Sequence, residues 1–196
     1  MCNQELFETI QARHTEKPIV SMCKKLIKKC SFNSGADIQN LCYLAYWLYV
    51  YGYEDDALLV CETTHDADYP GKGSFNVWDF IMYMWGLESH IMKCRNLTEE
   101  AAELIKKMDD LWLLTCTAPE HEEARRSRFT VDSCSYEKEI SNAATSSAAN
   151  RWRFLALFKL IGYGATGLFP NLEANKSAVN ALVEHLLLTT RSHVSW

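Results

Sequence analysis

The chain has 196 residues, 48% of them hydrophobic and 23% charged, with a net charge of −5. That composition excludes a disordered chain, a low-complexity fibre and a chain-wide electrostatic role on nucleic acid. The length suits one domain with a substantial core.

Met1–His14 carries Glu5, Glu8 and Arg13 and lacks the apolar run of a secretory signal. Pro18–Cys30 puts Ile19, Met22, Cys23, Leu26, Ile27 and Cys30 on one helical face. Lys24, Lys25, Lys28 and Lys29 fall opposite, which predicts an amphipathic helix with a solvated basic side. Ser34 followed by Asp37 reads as a cap for a helix running to Tyr51, with Gly52 just past its end. That helix is apolar nearly all round, which predicts a central position. Its charge-free stretch, Ile38–Tyr53, is interrupted by Gln39, Asn40 and Gly52. It is shorter than the roughly 20 apolar residues that a bilayer requires.

Glu54–Thr63 predicts a short return helix, and His65–Ser74 a loop broken by Asp66, Asp68, Pro70, Gly71 and Gly73. Val77–Cys94 has Val77, Phe80, Ile81, Met84, Leu87 and Ile91 on one side and Asp79, Tyr83, His90 and Lys93 on the other. Thr98 caps a helix whose stripe is Ala101, Leu104, Ile105, Met108, Leu111 and Trp112. The stretch from Pro119 to Ser135 is charged, then aperiodic. Tyr136–Ile161 is helical, with a weak middle at Thr145–Ser147. Gly162, Gly164, Gly167 and Pro170 then break the chain before a last helix, Asn171 to Thr190. No segment alternates as a strand does. The expectation is a single all-α domain: about seven helices in antiparallel hairpins, an irregular repeat-like bundle.

The hairpin Leu41–Cys61 resembles one unit of a tetratricopeptide-type helical repeat. The matching positions are Leu41, Leu44, Ala45, Leu48, Gly52, Ala57 and Cys61, with Tyr69–Pro70 near the unit's end. A second hairpin, Val77–Thr115, matches at Gly86 and Ala102. The resemblance implies a binding scaffold with a concave surface and no catalytic residues.

Motifs of chemistry are few. Gly162–Gly167 spells GxGxxG. Pro170 and Asn171 start the next helix after the motif, and no second strand follows, so it reads as a turn between helices. His90 and Cys94 share a helix face, but no closed ligand set surrounds them, and no metal or cofactor is expected. His121-Glu122-Glu123 lacks the second histidine of a zinc-protease helix. Lys24–Lys29 and Arg125–Arg128 read as solvated helix faces rather than phosphate sites. Eight cysteines are scattered with no CxxC, which predicts reduced thiols and a cytoplasmic location.

Tyr43, Tyr46, Trp47, Tyr49, Tyr51 and Tyr53 crowd one helix, more than one core face takes, and Tyr and Trp dominate interface hot spots. With Asp55, Asp56, His65, Asp66, Asp68 and Tyr69 they predict an aromatic patch rimmed by acids, suited to a basic partner. The alternative packing has the tyrosines buried against neighbouring helices. The function expected is non-catalytic protein–protein interaction, as in a regulator, an adaptor or an immunity protein. The alternative is an enzyme or small-ligand bundle with a pocket between helices.

Overall fold

Helical periodicity and a two-glycine contact account for most of the architecture. The computed structural model describes residues 4–29, 35–65, 75–115, 150–163 and 176–192. Among these are eight α-helices, one π-helical turn and no strand. They are α1 (Gln4–Arg13), α2 (Lys17–Lys29), α3 (Gly35–Val50), α4 (Glu54–Glu62), α5 (Phe75–Cys94), α6 (Thr98–Thr115), α7 (Asn150–Phe158), the π turn Lys159–Tyr163 and α8 (Lys176–Ser192). The bundle is all-α. No helix of the described residues is long and apolar enough to cross a membrane.

Helix α1 has no counterpart in the sequence reading. It buries only Phe7 and Ile10, too short a stripe to stand out over ten residues. Helix α3 is central: α2, α4, α5, α7 and α8 all pack on it. Helix α5 is a second centre, buried without a break from Ile81 to Ser89. That corrects the two-sided reading of this helix, because Tyr83 is only 3% exposed.

Both hairpins close in the same way. Gly52 has φ +82°, its N–H donates to the Tyr49 carbonyl (2.9 Å) and the Tyr53 N–H donates to Leu48 (2.8 Å). Asn96 has φ +63°, its N–H donates to Lys93 (3.1 Å) and the Leu97 N–H donates to Met92 (2.9 Å). These are the paired bonds of a helix that ends in one left-handed residue. They turn α3 into α4 and α5 into α6.

The π turn carries Gly162 against Gly86 of α5. A Cβ on Gly86 would lie 2.7 Å from the Gly162 carbonyl oxygen, and one on Gly162 would lie 2.9 Å from the Tyr83 Cα. Backbone blocks both positions, so only glycine fits. Gly162 is therefore a packing residue inside a helical turn, not the chain break that its GxGxxG letters suggest. Gly164, Gly167 and Pro170 lie outside the described residues, as do 136–149, the first part of the expected long helix.

This contact brings α7 onto α3. Phe158 meets Tyr46 at 4.3 Å between ring centroids, Tyr43 at 5.0 Å and Tyr83 at 5.7 Å. Phe154 meets Trp47 at 4.4 Å. Tyr46 is fully buried, and its hydroxyl donates to the Tyr83 carbonyl at 2.9 Å, so burial leaves no orphan O–H.

Gly86→Ala should cost about 2 kcal/mol or more in urea unfolding, because the new methyl meets backbone. Gly52→Ala, with open space but a positive φ, should cost about 1 kcal/mol. A Gly86→Ala variant as stable as the parent would contradict the close approach. Tyr46→Ala should cost about 3 kcal/mol or more, whereas Tyr53→Ala, at an exposed site, should cost under about 1 kcal/mol. Equal losses would refute the separation of the two tyrosines.

Candidate functional site

A cleft of about 350 Å³ opens between α2, α3 and α7. Helix α2 buries Ile19, Cys23 and Leu26 inward. Its adjoining stripe, Lys17, Pro18, Ser21, Met22 and Lys25, forms one wall. Helix α3 supplies Gln39, Asn40, Tyr43 and Trp47, which share a face at helical spacing, and α7 supplies Phe154.

Trp47 is 3% exposed and lies between Phe154 (4.4 Å) and Tyr51 (5.8 Å). Tyr43 lies against Phe154 at 6.0 Å and Phe158 at 5.0 Å. The floor is therefore aromatic and held from below. Amides and a hydroxyl interrupt it, and two lysines stand at its edge. Among the described residues the lining holds no carboxylate, imidazole or thiol. Among the described residues no carboxylate pairs with Lys17 or Lys25.

Among the described residues, the aromatic and acidic positions anticipated for the patch do not share one surface. Tyr43 and Trp47 reach the cleft, but Tyr46 is inside the core, where a surface role is closed to it. Tyr53 is 37% exposed. Its hydroxyl donates to Glu16 Oε1 at 2.8 Å, and its ring lies 4.1 Å from that of His14. Asp56 is buried and bound by Arg13 Nη1 (3.0 Å) and His14 Nε2 (2.8 Å), tying α4 to the α1–α2 junction. Asp55 is exposed and pairs with Arg95 Nη1 at 2.8 Å. His65 Nε2 pairs with Glu88 Oε2 at 2.7 Å, edge-on to Trp85. Asp66, Asp68 and Tyr69 lie outside the described residues. The acids that are described serve as ties between helices, so they do not frame the aromatics.

Sequence reasoning missed the lysine wall because its helical face read as ordinary solvated charge. It also missed Phe154, whose place depends on the π turn. A signal was present in α3: Gln39 and Asn40 sit one turn before Tyr43 and two before Trp47. Polar residues on the aromatic stripe of an otherwise apolar helix mark a wetted edge.

Among the described residues, the titratable groups with displaced pKa values lie outside the cleft. Burial pushes the Cys23 thiol up to about 12 and raises the Glu88 carboxyl against the lowering effect of His65. Cys42 and Cys61 are fully buried and likewise raised by burial. Cys23, Cys42, Cys61 and Cys94 are free thiols. Cys94 Sγ lies 3.9 Å from His90 Nε2, which is 3.1 Å from the Tyr49 hydroxyl. Among the described residues no group of three His, Cys, Asp or Glu could hold a metal ion.

Burial lowers the His90 pKa, as do Lys93 and Lys176, while Glu54 opposes. Its folded value lies below the unfolded value of about 6.5, so the unfolded chain takes the proton first on acidification. Its contribution to stability is complete above that value and is lost as pH falls from there toward the folded value. His90→Gln should flatten the fall in urea midpoint between about pH 7.5 and 5.5. An unchanged fall would place the pH dependence elsewhere.

No curated protein and no solved structure matches the chain. The tetratricopeptide-type resemblance therefore gains no support from the comparisons. A family of unknown function (DUF6707) matches residues 2–182. The match spans nearly the whole bundle, and the chain belongs to that family.

Proposed function

We propose that the chain is a non-catalytic binding module that docks a segment of a partner protein in the α2–α3–α7 cleft. The observation that carries this reading is the cleft's lining. Aromatic surface at the base with amides and ammonium groups at the edge is suited to recognition. Its described residues offer no paired acid and base for proton transfer. Of the groups with displaced pKa values, Glu88 pairs with His65 and His90 with Tyr49, both away from the cleft lining. That weighs against the alternative of an enzyme with its chemistry between helices.

The repeat resemblance is retained as a resemblance of packing. Two hairpins with matched turns stack side by side through α3 and α5, and stacked hairpins are scaffolds for binding surfaces. A cytoplasmic location is part of the same reading, supported by the free thiols.

Ser21 is an exposed residue on the cleft wall, so Ser21→Trp should fill the opening and leave stability within about 0.5 kcal/mol. Proteins retained by the parent chain from its own cell extract, and lost with Ser21→Trp, are the expected result. An identical set retained by both chains would refute docking in the cleft.

A further inference from the structure

We infer that the segment docked in this cleft is acidic and amphipathic: an aliphatic side chain inserted over Tyr43, Trp47 and Phe154, flanked by carboxylates that pair with Lys17 and Lys25. The inference rests on the docking role proposed above and names the chemistry of its ligand.

Charge is the first argument. The two charged residues of the described lining are both lysines, both exposed, and no described carboxylate neutralises them. Lys28 and Lys29 follow Lys25 by three and four residues and are also exposed. They continue the same stripe beyond the cleft. From Lys17 to Lys29 the helix rises about 18 Å, a length that matches several residues of a bound segment. A ligand with a single charged head would leave most of that row unused.

Shape is the second argument. At about 350 Å³ the cleft stands near the lower end of small-molecule sites, which run from about 300 to 1,000 Å³. That suits one or two aliphatic side chains rather than a cofactor. Gln39 and Asn40 each carry a donor and an acceptor, which suits the amide groups of a peptide backbone.

Ring availability separates an acidic peptide from a single-stranded nucleic acid, which also answers to lysine and aromatic residues. Base stacking requires an accessible ring face. Trp47 is 3% exposed and held between Phe154 and Tyr51, while Tyr43 packs on Phe154 and Phe158. Trp47 offers no free face for a base, which leaves the half-buried Tyr43 alone where continuous stacking needs successive rings, whereas an aliphatic group needs only the apolar floor.

The test is NMR titration of the full ¹⁵N-labelled chain with the capped peptide EELEELLEE, its neutral and basic counterparts QQLQQLLQQ and KKLKKLLKK, and an oligothymidylate. The acidic peptide should shift the Lys17 and Lys25 amides and the Trp47 indole. Its affinity should fall about tenfold or more in the double variant Lys17→Glu/Lys25→Glu. Rising salt should weaken it with the parent chain, a readout that requires no variant to fold. Equal or tighter binding of the neutral or basic peptide at the same signals would overturn the acidic ligand and leave docking in place. Oligothymidylate binding there in preference to the peptide would overturn it in favour of nucleic acid. No shift with any peptide, while capture stays sensitive to Ser21→Trp, would overturn this inference alone. Capture insensitive to Ser21→Trp would overturn the docking role beneath it.

Discussion

The backbone contact between Gly86 and Gly162 fixes the position of α7 and, through it, the shape of the candidate site. A helix presents side chains at its surface, so two backbones approach this closely only where both carry hydrogen in place of Cβ. The π turn delivers Gly162 to that notch in α5. One turn upstream, Phe158 enters the ring cluster of Tyr43, Tyr46 and Tyr83, and Phe154 covers Trp47. Without α7 seated there, Tyr43 and Trp47 would lie on a flat face of α3. With it seated, they become the floor of a cleft.

Charged residues divide by location in a way that sets the character of the surface. The acids in the first turn of α4 are engaged: Asp56 with Arg13 and His14, and Glu54 and Asp55 with Arg95. The exposed Arg95 pairs contribute under about 1 kcal/mol each. The buried Asp56 is different, because losing a partner would strand a carboxylate away from water, at a cost of about 3–5 kcal/mol. The lysines of α2 have no such duty among the described residues. A chain of net charge −5 thus presents a basic cleft, and the inferred charge of its partner is opposite to the one that the sequence pattern suggests.

The all-α class and, to within two residues, the boundaries of α2 to α6 were legible because each rests on local rules: the 3.6-residue stripe, Gly52 at a helix end, and acids in the first turn of α4. Helix α1 was not legible, since Phe7 and Ile10 are too few to make a pattern. Gly162 was misread because a glycine that ends a helix and one that lets two helices touch look identical in one dimension. The grouping of the site residues was not legible for the same reason. Trp47 and Tyr43 stood out as aromatics. Whether their neighbours are the acids near in sequence or the lysines of α2 is decided by how α2 and α7 pack on α3, and no local rule encodes that.

The seat of α7 and its π turn on α3 and α5 decides whether the cleft exists. Nuclear Overhauser contacts in the unmodified chain measure this directly. Cross-peaks between the α-protons of Gly86 and Gly162, together with cross-peaks from the Phe154 ring to the Trp47 indole, are the predicted result. A spectrum in which Gly162 contacts neither Gly86 nor Tyr83, and in which Trp47 has no contact with Phe154, would remove the wall of the cleft and contradict the account.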